Sequence, residues 1–254
     1  MMIVRSMIAA LSMSLLLTGC MTTTDQPRRA ADPNAARDSY VQLGLGYLQQ
    51  GETHRAKAPL TEALKIDPRS SAAHTALALV YQQEGEYDSA EKHFRSALSI
   101  EPRSARILNN YGAFLLARGR YHEALEQFQK AAEDTVYSER SRVFENLGLT
   151  HQRLGQTEEA KASFERALRL NSRQPMAMLE LARIEFEAQN FVPAWEYYRR
   201  FAQISGQDAS SLWLGVQLAR RFEDHNSAAS YAMQLRRLYP ASPEARALSA
   251  SESS

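Results

Sequence analysis

The chain has 254 residues, a formal net charge of +1 and 44% hydrophobic residues, enough for one elongated or two compact folded domains. A balance this even gives no electrostatic case for nucleic acid, which demands a concentrated basic surface. Three arginine pairs near the C-terminus (Arg199-Arg200, Arg220-Arg221 and Arg236-Arg237) stand among Glu196, Glu223 and Asp224, and read as solvated helix faces.

The first element in the chain is a targeting segment, residues 1–19. Arg5 supplies a positive start, and residues 7–17 are apolar but shorter than the roughly 20 residues of a bilayer span. The stretch ends in Leu17-Thr18-Gly19-Cys20, which resembles the lipobox of bacterial lipoprotein precursors. That resemblance implies acylation of Cys20 and cleavage before it; the alternative is a plain secretory signal. Cys20 is the only cysteine, so no intramolecular disulfide explains it. Met21, not Asp, follows it, which favours the outer membrane. Residues 20–32, with Thr22-Thr23-Thr24, Pro27 and Arg28-Arg29, lack an apolar period and read as a lipidated tether.

Residues 33–248 repeat themselves every 34 residues. Tyr40, Leu43, Gly44, Tyr47, Ala56, Leu60, Ala63 and Pro68 return as His74, Leu77, Ala78, Tyr81, Ala90, Phe94, Ala97 and Pro102. Leu108, Tyr111, Gly112, Leu115, Ala124, Phe128 and Ala131 make a third copy. Phe144, Leu147, Gly148, His151, Ala160, Phe164 and Ala167 make a fourth, offset by two residues near Tyr137-Ser138. Met178, Leu181, Ala182, Ala194, Tyr198 and Phe201 mark a fifth, and Leu214, Gly215, Leu218 and Tyr231 a blurred sixth. This is the signature of the tetratricopeptide repeat. It predicts an all-α, right-handed solenoid of about six helical hairpins near 37–70, 71–104, 105–140, 141–174, 175–207 and 208–241. Small residues at 44, 78, 112, 148, 182 and 215 belong at helix crossings. Gly51, Gly85, Gly119 and Gly155 belong at the turns inside each hairpin. Asp32-Pro33 opens the first helix, and Asp67-Pro68 and Glu101-Pro102 close second helices. The sixth copy is expected to act partly as a cap, followed by a polar tail over 249–254.

Nothing in this pattern carries chemistry. The histidines (His54, His74, His93, His122, His151 and His225) show no metalloprotease i, i+4 spacing and have no cysteine partner. Gly44-Leu45-Gly46 lacks the strand and the Gly-Lys of a phosphate loop, and no serine sits in a Gly-x-Ser-x-Gly elbow. The expectation is a binding protein with no cofactor, no metal and no small-molecule substrate; an enzyme with an unfamiliar site is the remote alternative.

The expected partner site is the concave groove of the first helices. Val41, Leu45 and Leu48 form an i, i+4, i+7 stripe beside the stripe of Tyr40, Leu43, Gly44 and Tyr47. The former is taken as the exposed, partner-facing one. The alternative has Leu45 and Leu48 packed on the second repeat. Leu79, Asn109 and Arg142 continue the groove, with Glu145, Gln152 and Arg183 making its middle more polar.

Particular stretches point to one family. They are residues 37–47 (RDSYVQLGLGY), Asn109-Asn110-Tyr111-Gly112, residues 138–148 (SERSRVFENLG), Leu170-Asn171 with Gln174-Pro175, and residues 235–240 (LRRLYP). With the lipobox, these resemble the type IV pilus biogenesis lipoproteins called PilF or PilW. The resemblance implies a pilotin: an outer-membrane lipoprotein on the periplasmic face that binds the pilus secretin subunit and promotes its localisation and multimerisation. A general envelope scaffold of the same architecture is the alternative.

Overall fold

The computed structural model describes residues 32–252, and these form helices joined by short turns. Repeat one is α1 (Pro33–Gln49) and α2 (Thr53–Ile66); repeat two is α3 (Ser71–Gln83) and α4 (Tyr87–Ile100). Repeat three is α5 (Ala105–Ala117) and α6 (Tyr121–Ala132); repeat four is α7 (Arg140–Arg153) and α8 (Thr157–Leu170). Repeat five is α9 (Pro175–Glu187) and α10 (Phe191–Ile204), and repeat six is α11 (Ala209–Arg221) and α12 (His225–Leu238). A further helix, α13 (Pro243–Glu252), closes the order.

The helix ends follow from local chemistry. Asp32 caps α1 by accepting the Asn34 backbone N–H at 3.0 Å, with Pro33 in the first turn. Asp67 is extended before Pro68 and ends α2. The turns inside repeats one to four place Gly51, Gly85, Gly119 and Gly155 at φ of 73–79°, where a side chain would be strained. Repeats five and six put Gln189 (φ 61°) and Glu223 (φ 56°) at the same place. The two-residue offset is absorbed between α6 and α7, where Arg140 Nε donates to the Ala132 carbonyl at 2.9 Å.

Each hairpin closes over a small-residue crossing. A Cβ on Gly44 would lie 2.5 Å from Leu60 Cγ, on Gly112 2.7 Å from Phe128 Cε1, and on Gly148 2.5 Å from Phe164 Cε1. Each glycine thus lets the large side chain of its own second helix sit flush on the backbone. Ala56, Ala90, Ala124, Ala160 and Ala194 are fully buried on those second helices. Repeat six departs from the rule: Gly215 is met by the Tyr198 hydroxyl of α10, from the preceding repeat. That hydroxyl is buried and finds no hydrogen-bond partner among the described residues.

Contacts run between neighbours. First helices touch one another across repeats, as α1 does α3, α5 does α7 and α7 does α9, whereas second helices contact the next first helix. The odd-numbered row is therefore the inner side of the stack. At the far end α13 lies on α11 and α12, burying Ala245 and Leu248 against Leu212, Val216 and Leu235. The cap is thus a separate helix beyond repeat six. It corrects the expected polar tail from residue 249, because the helix runs to Glu252, whose carboxylate pairs with Arg220 and Arg236.

Candidate partner-binding surface

The stripe expected to face a partner faces inward. Val41 is 4% exposed and packs with Ala63 and Ala73. Leu45 and Leu48 are half-buried against the cluster that holds Ala76, Leu77 and Val80 of α3. These residues make the joint between repeats one and two, which corrects the assignment of Val41 as a groove residue. The physical reason is that neighbouring first helices touch, so groove-side positions also serve the next repeat.

The other stripe of α1 is the open one. Leu43 is 48% exposed, whereas its counterparts Leu77, Tyr111, Leu147, Leu181 and Leu214 are 0–6% exposed. Tyr40 is exposed as well, at 38%. In later repeats this face is covered by the second helix of the preceding repeat; among the described residues nothing precedes α1. Tyr47 is partly shielded by Arg55, whose guanidinium lies 4.2 Å from the ring centroid and donates to the hydroxyl at 2.9 Å. The stack therefore ends in an apolar patch centred on Leu43. Its signal was present in the sequence: a signature residue packs backwards, and the first copy has no predecessor.

The remaining groove residues lie on the successive inner helices α3, α5, α7 and α9. Leu79 is half-buried on α3. Asn109 on α5 is 5% exposed, and its Oδ1 already accepts from Asn146 Nδ2 at 2.9 Å. Arg142 on α7 is exposed and pairs loosely with Glu139 at 3.4 Å. Gln152 Nε2 donates to Glu180 Oε2 at 3.0 Å, with Arg183 3.6 Å from the same carboxylate. Glu145 is buried, and its Oε1 accepts the Ala177 backbone N–H in the first turn of α9 at 3.1 Å. Burial pushes the Glu145 carboxyl above the usual range, against that hydrogen bond. The inner face thus offers a mainly apolar wall at its start and internally paired polar groups further along.

Among the described residues no three His, Cys, Asp or Glu side chains gather in a way that could hold a metal. No helix there is long and apolar enough to cross a membrane. Cys20 lies outside the described residues.

Comparison with known proteins fits this geometry. The tetratricopeptide repeat family matches residues 103–173 and, in a second form, residues 41–102 and 146–209. The type IV pilus assembly protein PilF of Pseudomonas aeruginosa is 49% identical over 230 residues, spanning 90% of this chain and 91% of that protein. A solved structure from the functional characterisation of Pseudomonas aeruginosa pilF matches with a TM-score of 0.85 at 51% identity, covering 86% of this chain and 99% of that one. The crystal structure of PilW, a widely conserved type IV pilus biogenesis factor, matches with a TM-score of 0.73 at 32% identity, over 84% of this chain and 97% of that one. A stack of 34-residue helical repeats, shared at this identity over nearly the whole chain, places the protein: it belongs to the PilF/PilW family of tetratricopeptide-repeat proteins of type IV pilus biogenesis.

Proposed function

We propose that the chain is a pilotin, an outer-membrane lipoprotein acylated on Cys20 that binds the type IV pilus secretin subunit and promotes its arrival and multimerisation at that membrane. Family membership and the Leu17-Thr18-Gly19-Cys20 motif support the reading. The observation that carries it is the open end of repeat one. Leu43 and Tyr40 are apolar signature residues left exposed at the start of the stack, 12 residues or fewer from the tether's end at residue 32. A contiguous exposed apolar patch marks an interaction site. The inner face continues from there through Leu45, Leu48 and Leu79 towards Asn109 and Arg142.

Acyl chains contribute about 0.8 kcal/mol per buried methylene, so a multiply acylated Cys20 suffices to hold the solenoid at the membrane. The protein then needs only an anchor, a rigid arm and a docking end. The test is to follow secretin multimers in outer-membrane fractions of cells carrying wild type, Cys20→Ser or Leu43→Glu. Cys20→Ser is expected to release the protein and mislocalise the secretin. Leu43→Glu is expected to lose multimers while changing stability by only about 0.5 kcal/mol, as for a surface position. Leu45→Glu, by contrast, puts a charge into the half-buried joint and lowers the melting midpoint. Normal multimers with Leu43→Glu would remove the end patch from the mechanism.

A further inference from the structure

His74 on α3 and His93 on α4 face each other across repeat two, with Nδ1···Nδ1 at 2.9 Å. The ring centroids are 5.2 Å apart. That is the N···N distance plus roughly 1.2 Å of ring on each side, so the two nitrogens point straight along one line, as in a hydrogen bond. Lone pairs converging on a shared metal would meet at an angle instead. His74 Nε2 lies 3.2 Å from the Pro68 carbonyl, which can only accept. Nε2 therefore carries the proton, neutral His74 offers its lone pair at Nδ1, and His93 donates from Nδ1. Tyr81 stacks on the His93 ring at 5.4 Å and fixes its plane.

We propose that His74 and His93 are a shared-proton pair that makes the joint of repeat two an acid-sensitive switch. A first added proton can be accommodated, because N–H⁺···N is a charge-assisted bond. A second cannot, because two N–H groups and two positive charges would then oppose each other at hydrogen-bond distance. Among the described residues no carboxylate is among the charges that act on His93; Glu101, at the end of α4, accepts from Ser71 Oγ instead. Lys92, on α4 itself, adds positive charge. From α2, Lys57 lies over the Tyr81 ring and is bound to Glu84 and Glu86. From α1, Arg37 is bound to Asp38 and Asp67. From α5, the Tyr111 hydroxyl donates to Glu91, which also pairs with Arg95 and Arg120.

Burial, and next the charge of His74, lower His93 to about 4. A base depressed on folding contributes stability that is present above its unfolded value near 6.5 and is lost as pH falls towards 4. Parting the pair strains the packing of α3 on α4, which the buried Ala78, Ala90 and Phe94 otherwise hold. Because Leu45 and Leu48 pack on α3, acid also loosens the joint between repeats one and two.

The test uses the full chain labelled with ¹⁵N, read by ring-nitrogen NMR and by the thermal midpoint between pH 7.5 and 4. His93→Asn serves as comparison, since its side-chain N–H can donate to His74 Nδ1 from the same place but does not titrate. Wild type is expected to titrate the two rings in two separated steps, the second well below 6.5. His93→Asn is expected to keep the neutral midpoint and to lose roughly 2–4 °C less than wild type in acid. Two independent titrations at the ordinary histidine value, or equal acid losses in both proteins, would overturn the proposal. If His93→Asn does not fold, the wild-type ring titration alone decides.

Discussion

Two glycines two residues apart on α1 do different work. Gly44 lies against Leu60, so a methyl group there has no room, while Gly46 has nothing within 4 Å of where its Cβ would be. Two residues turn the helix by about 200°, so one faces the crossing and the other faces away from it. Gly46→Ala is therefore expected to stabilise the protein by up to about 1 kcal/mol, the helix-propensity difference. Gly112→Ala is expected to cost about 1–3 kcal/mol, because a methyl group there would lie within 3.0 Å of three ring atoms of the fully buried Phe128. Urea midpoints at unchanged m-value check both; equal shifts would mean the crossing is not close-packed. Which glycine was structural could be read from the 34-residue register, since only Gly44 recurs as Gly112, Gly148 and Gly215. That Tyr198 would reach across a repeat to Gly215 could not, because a single hydroxyl leaves no periodic trace.

Helix α9 shows how an element borrows its start from another. Its own N-cap residue, Gln174, makes no capping bond and donates instead to Ser141 Oγ at 2.8 Å. Glu145 of α7 caps the helix from the side. Burial raises the Glu145 carboxyl, so its contribution is fully present below the unfolded value near 4.3 and is lost as pH rises through the folded value. Glu145→Gln keeps an acceptor oxygen without the charge. It is expected to stabilise the protein at pH 7 by a modest amount, at most about 1 kcal/mol, and to have no advantage at pH 3. Glu145→Ala, which leaves the Ala177 N–H unsatisfied, is expected to cost about 1 kcal/mol at pH 3 and less at pH 7, where the wild-type carboxylate is itself penalised by burial. A pH-independent difference between Glu145 and its Gln variant would contradict the role of burial. At this scale the repeats were legible because six copies vote on each boundary. Helix α13 was not, because it occurs once and buries only Ala245 and Leu248, too few for a periodic signal. The two apolar stripes of α1 were both visible, but their orientation depends on neighbours that a single helix does not encode.

Over the whole molecule the two ends are unlike. One is sealed by α13 and the Glu252 ion pairs; the other, among the described residues, leaves Leu43 and Tyr40 exposed. Between them each hairpin is held by the next, and among the described residues the main helix contacts run within a repeat or between neighbouring repeats. Such a stack approximates a line of units with nearest-neighbour coupling. The sequence carried this organisation plainly, since a fixed period favours contacts between neighbours; it pointed to the sixth copy as the cap, but not to the separate helix α13 that closes that end. Holding between neighbours has a mechanical side. Tension drawn between the two termini is borne in series, so the chain yields like a zip, one hairpin after another, beginning at the uncovered first repeat where only one neighbour resists. Each step frees about 34 residues, roughly 110–120 Å of extended chain. Single-molecule pulling is expected to show a ladder of rips with that spacing, and one all-or-none rip over the full length would contradict it. A protein of this build lengthens by counted increments under load and shortens again as the load falls, a stepwise shock absorber assembled from a single repeated hairpin.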